Sequence, residues 1–312
     1  MSTAYIFPGQ GSQFVGMGMQ FMSLRPIFRG TFDRANEALA NEALGFDLKS
    51  LCLMGPEDEL IDTVNTQPAI FTHSLAAFYM AEMSGELEAP AFVAGHSLGE
   101  LSAVCAAGAI EFEDGVKLAR ERGRLMKLAG EQQPGSMAAI IALDRDALQA
   151  ACDEASAETQ LNNLPGVVIA NDNAPGQIVI SGGKEAVARA GEIAKAKGAK
   201  RVLPLKVSIA SHSPLMEIIR DDFAQAVAAM PVVTAKVPIV ANTSVTPITH
   251  PDDIRAELTA QLTSPVRWTE SVRWMNAQGV TSFFELGPKD VLSGLIKRIL
   301  ADVAGLQTEA IG

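Results

Sequence analysis

The stretch "AFVAGHSLGELSAVCAAG", residues 91–108, decides how this chain is read. An apolar run ends in Gly95-His96-Ser97-Leu98-Gly99, and small and apolar residues follow. G-x-S-x-G between a strand and a helix is the pattern of a nucleophile elbow. The basis is steric: the turn strains the serine backbone, and only small residues fit on either side. Gly95 and Gly99 meet that need, and Ala103, Ala106 and Ala107 let a helix pack close behind. Ser97 would then stand at the positive end of that helix, with backbone N–H groups available to an oxyanion. A serine that merely caps a helix also suits the position, and the strand–turn–helix context favours the nucleophile.

Working outward, "TAYIFPG" (3–9) reads as a short buried strand, and "QGSQFVGMG" (10–18) as a glycine-rich loop. Helical patterns occupy 25–40 and "TQPAIFTHSLAAFYMAEM" (66–83), the second starting at Thr66-Gln67-Pro68, since proline is tolerated in a first turn. "LGELSAVCAAGAI" (98–110) and "FEDGVKLARERGRLMKLAG" (112–130) read as two more helices. Strands alternating with helices argue for a largely parallel sheet covered on both faces.

The region from about 134 to 208 has another rhythm. "GSMAAIIAL" is a strand pattern, 144–158 a helix, and "VVIANDN" and "QIVISGG" two strands about Ala174-Pro175-Gly176. A helix over 184–198 and a last strand, "KRVLPLKVS" (200–208), complete β-α-β-β-α-β, the ferredoxin-like pattern. The expected architecture is an α/β, hydrolase-like parallel-sheet core over 1–132 and 209–312, with a ferredoxin-like subdomain inserted at 133–208. "VPIVANTS" (237–244), a helix, "SFFELGP" (282–288) and a final helix return to the core.

A serine hydroxyl needs a base, and the chain has four histidines. His96 adjoins Ser97 and would point away on a tight turn. His73 lies in a helical pattern, where a satisfied, semi-buried histidine is expected. His250 sits in the polar loop "TPITHPDD" and is expected to be solvated. His212, in "KVSIASHSPLM", follows a strand and precedes a serine-proline break, where catalytic groups tend to sit. Elimination favours His212. Asp172 is a candidate orienting acid on chain order alone, although aspartate in "ANDNAPG" is more often a turn residue.

Global properties exclude several classes. With 312 residues, 48% hydrophobic and 20% charged, the composition is that of an ordinary globular protein. A net charge of −11 without a long basic run argues against nucleic acid. No apolar run approaches the ~20 residues that span a bilayer, so no membrane is expected. No secretory pattern is visible, which makes cytoplasm the default. Cys52, Cys105 and Cys152 are expected to be buried, with no metal or disulfide framework. The loop at 9–18 lacks a P-loop lysine.

Taken together these pieces resemble the malonyl-CoA:acyl carrier protein transacylases of fatty acid synthesis. "FPGQGSQ", "TQPAIFTHSLA", "GHSLGE", the Arg122-Gly123 of "RERGRLM", "ANDNAPGQIVISG", "SHSPLM", "QLTSPVRW" and "ELGP" follow the family's order over nearly the whole chain. The resemblance implies Ser97 as nucleophile and His212 as base. It implies Gln10 and the Leu98 N–H as oxyanion hole, and Arg122 as the partner of a malonyl carboxylate. The backbone carbonyl of Gln261 would hold the His212 ring, a dyad needing no acid. Malonyl-CoA and an acyl carrier protein are the implied partners, with no cofactor, and a monomer is expected. Arg122 makes chemical sense, because a guanidinium fork binds a carboxylate through two parallel hydrogen bonds. By itself, an arginine beside Arg120, Arg124 and Lys127 would read as a solvated helix face.

Ile209 to His212, "IASH", departs from the family pattern. In related polyketide acyltransferases a "YASH"-like stretch accompanies methylmalonyl selectivity, so a discrete polyketide acyltransferase is one alternative. A serine thioesterase or esterase is another. Lys195, Lys197, Lys200 and Arg201, with the Lys117–Lys127 helix, are candidate basic faces for anionic partners.

Overall fold

The structure, a computed structural model, describes residues 2–40, 47–85, 87–205 and 207–312. In chain order the strands are β1 (Ser2–Phe7), β2 (Phe92–Gly95), β3 (Gly135–Ile141), β4 (Val167–Ala174), β5 (Gln177–Gly183), β6 (Arg201–Pro204), β7 (Ile239–Val240), β8 (Pro247–Ile248), β9 (Val280–Leu286) and β10 (Gln307–Ile311). One six-stranded sheet runs β10-β9-β1-β2-β7-β8, parallel except for β8. A four-stranded sheet, β4-β5-β3-β6, is antiparallel throughout.

β1 shows why the larger sheet is parallel. Tyr5 and Phe7 pack into one core with the helices Thr63–Ser84, Leu98–Ala106 and Phe112–Gln132. Ala4 and Ile6 face a second core built on Trp268, Val272, Leu292 and Ile296. A strand buried on both faces must be apolar without alternation, as "AYIF" is. The smaller sheet buries Ile178 and Ile180 against the helices Arg145–Gln160 and Lys184–Ala196, while Val179 faces the other way with Met137. Its strand β4 is tied to the main body, because Val266 N–H donates to the Ala170 carbonyl at 2.8 Å and Asp172 N–H to the Val266 carbonyl at 2.9 Å.

Several elements differ from expectation. The helix predicted to begin at Thr66 begins at Thr63, capped by the Asp62 side chain, so Pro68 lies inside it. Proline leaves the carbonyl four residues earlier without its donor, and the Arg120 Nη1 donates to that Val64 carbonyl at 2.9 Å. The helix after the elbow ends at Ala106, and Gly108 turns the chain at a φ of 71°. In "VPIVANTS" only Ile239–Val240 is strand. One predicted helix between there and β9 is two, Pro251–Ala260 and Trp268–Ala277. β10 was not expected; it is a mostly polar, half-exposed edge strand beside β9, without an apolar signal. The strand predicted over 200–208 is Arg201–Pro204, and Lys206 lies outside the described residues. No described helix is long and apolar enough to cross a membrane.

Candidate active site

β2 ends at Gly95, and the chain turns through His96 and Ser97 into the helix Leu98–Ala106. Ser97 has φ 54° and ψ −111°, a strained region for a residue with a side chain. The two glycines are a contact requirement. A Cβ on Gly95 would lie 1.9 Å from the Gly99 carbonyl, and one on Gly99 2.0 Å from the Phe7 carbonyl. Helix and both strands therefore approach with no room for a methyl group.

His212 reaches the elbow from the segment before the short helix Pro214–Ile219, and it too has a positive φ, 58°. Its Nε2 lies 2.7 Å from Ser97 Oγ. Its Nδ1 faces two carbonyls, Gln261 at 2.8 Å and Ser264 at 3.2 Å. Carbonyls only accept, so Nδ1 carries the hydrogen and Nε2 presents a lone pair to the hydroxyl. Burial, and then the Arg122 charge, push the His212 pKa down to about 3. The imidazole is thus neutral at pH 7 and able to take the serine proton.

Arg122 is buried, unlike the charged Arg120, Arg124 and Lys127 on the same helix Phe112–Gln132. Arg124 pairs with Glu121 and Lys127 with Asp62, both at the surface. Arg122 Nη1 donates to Gln67 Oε1 and Nη2 to Gln261 Oε1, each at 2.9 Å, and Nη2 lies 3.3 Å from Ser97 Oγ. Burial lowers its pKa to about 10, so it stays a cation at pH 7. The Ser97 hydroxyl, the His212 imidazole and the Arg122 guanidinium therefore meet at one point.

Of the two predicted donors, Leu98 directly follows Ser97 in the chain. Leu98 is the first residue of its helix, where no earlier turn supplies an acceptor for the N–H. Gln10 is exposed, and Thr63 Oγ1 donates to its Oε1 at 3.0 Å, which turns the donor end of the amide the other way. The Gly9 loop abuts the elbow, since a Cβ there would lie 2.4 Å from the His96 carbonyl.

Other candidates fall elsewhere. Asp172 accepts from Thr269 Oγ1 at 2.8 Å and lies 3.5 Å from Arg145, so it does not orient His212; two carbonyls do. His96 reaches Asn173 Oδ1 at 2.7 Å and packs edge-on against Trp268. His250 is exposed and caps the helix Pro251–Ala260. His73 is fully buried, edge-on to Phe28, and neither ring nitrogen has a hydrogen-bond partner among the described residues. It was expected to be satisfied; instead burial holds it neutral, its pKa pushed down to about 3.

A buried polar network behind the elbow went unread. Asn242 Oδ1 accepts the Ser97 N–H at 2.9 Å, and its Nδ2 donates to the Gly95 carbonyl at 2.7 Å and to Glu100 Oε1 at 3.0 Å. Glu100 Oε1 also accepts the Asn242 N–H at 2.8 Å. The Gln261 Nε2 donates to the Ser97 carbonyl at 2.9 Å and to Glu100 Oε2. Burial, and then nearby Glu257, raise the Glu100 pKa well above the usual carboxylate range. A charged residue in "LGELSAVCA" was the one available signal for Glu100.

The acyl transferase domain family matches residues 4–311. The chain is 48% identical over 297 residues to the malonyl CoA-acyl carrier protein transacylase of Escherichia coli K12, covering 95% of this chain and 92% of that protein. It superposes with a TM-score of 0.92 on an acyl carrier protein S-malonyltransferase from Vibrio cholerae, at 42% identity, covering 100% of this chain and 97% of the other. A malonyl-transacylase solved in complex with its type II polyketide acyl-carrier protein superposes with a TM-score of 0.91 at 40% identity, covering 100% and 96%.

Proposed function

This chain belongs to the acyl transferase domain family, and from that premise we propose that it moves a malonyl group from malonyl-CoA to the phosphopantetheine thiol of an acyl carrier protein. The observation that carries the reading is a buried guanidinium, Arg122, 3.3 Å from a serine hydroxyl that is 2.7 Å from a neutral imidazole. An esterase for neutral acyl groups would gain nothing from that cation.

The reaction is ping-pong. His212 Nε2 takes the Ser97 proton as Oγ bonds to the thioester carbonyl carbon. The Leu98 N–H and Gln10 stabilise the tetrahedral oxyanion; removing one such donor typically costs ~3 kcal/mol of barrier. The carbon–sulfur bond breaks, His212 returns its proton to the leaving thiolate, and CoA departs as the thiol. In the second half the carrier thiol gives its proton to His212 and attacks the acyl carbon. The ester bond breaks and the proton returns to Ser97 Oγ. Arg122 holds the malonyl carboxylate through both halves, so the two attacks share one geometry. No acid is needed behind His212, because the Gln261 and Ser264 carbonyls orient the ring and stabilise the imidazolium that forms transiently.

We read residues 133–208 as a ferredoxin-like subdomain inserted in a hydrolase-like core of 1–132 and 209–312. The strand order β4-β5-β3-β6, antiparallel throughout, supports that reading. The similarity to the polyketide-carrier transacylase makes a polyketide carrier a second possible recipient.

Labelled malonyl-CoA, holo acyl carrier protein and the enzyme should give labelled carrier. Label released only as free malonate would replace transfer by hydrolysis. Arg122→Ala should lose malonyl transfer by ~10²-fold or more while acetyl transfer falls far less. Equal loss of both would remove Arg122 from the substrate site.

A further inference from the structure

We infer that the side-chain amide of Gln261 is a spacer that aims Arg122 at the substrate carboxylate while holding the Glu100 carboxyl group off the guanidinium. The inference rests on the reading of Arg122 as the malonyl-binding cation and assigns a role to a side chain of which the sequence reading used only the backbone carbonyl.

The amide can take only one orientation. Its Oε1 accepts from Arg122 Nη2 at 2.9 Å, and arginine has no acceptor. Its Nε2 faces two acceptors, the Ser97 carbonyl at 2.9 Å and Glu100 Oε2. Flipped, the amide would set donor against donor and oxygen against oxygen. The residue is 2% exposed, so water does not compensate either end. Its backbone carbonyl meanwhile accepts from His212 Nδ1. One residue thus touches nucleophile, base and cation.

The kind of partner offered to Arg122 matters as much as the contact. Gln67 Oε1 takes Nη1, and Gln261 Oε1 takes Nη2. Both acceptors are neutral amide oxygens. Gln67 is itself held by Thr63 Oγ1, to which its Nε2 donates at 3.0 Å. A buried cation paired directly with a carboxylate would already have its fork filled, and a malonyl group would have to displace a built-in competitor. The chain places Glu100 one amide away, with Gln261 donating to it and accepting from Arg122. Such a chain of hydrogen bonds fixes the amide and its oxygen on Arg122 without placing a charge in the fork.

The test uses two substitutions that keep the backbone carbonyl and hence the anchor of His212. Gln261→Met has nearly the same length and no hydrogen bonds; Gln261→Glu has the same shape and a charge. The measurement is kcat/KM for malonyl-CoA and for acetyl-CoA with holo acyl carrier protein as acceptor, in wild type and variants. Losing a buried hydrogen bond to a charged group should lower the malonyl-over-acetyl preference by ~10- to 100-fold in Gln261→Met, chiefly through a higher malonyl KM. Gln261→Glu should raise the malonyl KM further, because its carboxylate occupies the fork. In an Arg122→Ala background, Gln261→Met should change the preference no further, as expected of a residue acting through Arg122.

A fall of less than tenfold in the Met variant, or parallel losses for both acyl groups, would overturn the inference. Should Gln261→Met fail to fold, the same tenfold criterion applies to Gln261→Glu. A wild-type protein that transfers no malonyl group at all would instead overturn the reading of the function beneath it.

Discussion

At the carboxyl end of β2 the chain buries Glu100, Arg122, His212, Asn242 and Gln261 together. Between the four-stranded sheet and its two helices it buries Leu148, Cys152, Ile169, Ile180, Val187 and Ile193. The first region holds its shape by directed bonds, each of which fails if one partner is removed. The second holds by area and volume, where loss is graded. Ser97 and His212 both take positive φ, and their backbone N–H groups are held by Asn242 Oδ1 and the Leu262 carbonyl. Stability and chemistry are therefore separable by substitution.

The largest expected effect is at the elbow. Gly95→Ala puts a methyl carbon 1.9 Å from the Gly99 carbonyl, and backbone cannot give way there. Displacing the helix start moves the Leu98 N–H, so kcat should fall by at least ~10²–10³-fold. A variant with wild-type kcat would show that the close approach of helix and strand is irrelevant to the reaction. Leu148→Ala in the antiparallel unit is the reverse case. It should cost about 2–5 kcal/mol in denaturant unfolding and leave kcat per folded molecule within about twofold. An unfolding cost together with a matching fall in kcat would mean that the two regions are not separable.

A smaller effect concerns acid. The His212 pKa is pushed down to about 3 by burial and the Arg122 charge. His212 is therefore neutral from pH 7 down through the ordinary histidine value of about 6.5, and its neutral form is lost only as pH approaches the depressed value. The acid limb of kcat/KM should lie below pH 6.5. A limb centred at or above 6.5 would mean that His212 is not held neutral in the free enzyme. No histidine falls between 133 and 208, so the antiparallel unit adds no histidine titration of its own.

The same contrast explains what could be read from the sequence. Ser97 was legible because the elbow is a local steric device, written in Gly95 and Gly99. That His212 would lie against Ser97 followed because the chain has few histidines and only one at a suitable break. The antiparallel unit was legible because its elements are short, ordered and individually patterned. Arg122 was visible only by resemblance, since its burial depends on Gln67 and Gln261 from elsewhere in the chain. Asn242 and Glu100 were missed for the same reason, being 142 residues apart. β10 was missed because an edge strand with little buried surface leaves no hydrophobic pattern. The misplaced start at Pro68 came from applying a first-turn rule, whereas Arg120 supplies the missing donor in mid-helix.

The central claim is that Ser97 carries a malonyl group selected by Arg122. Intact-protein mass spectrometry after brief exposure to an equal mixture of malonyl-CoA and acetyl-CoA tests it most directly. The account predicts one malonyl adduct on wild type, mapped to Ser97, none on Ser97→Ala, and little or no acetyl adduct. A malonyl adduct that persists in Ser97→Ala, or equal malonyl and acetyl labelling of the wild type, would contradict it.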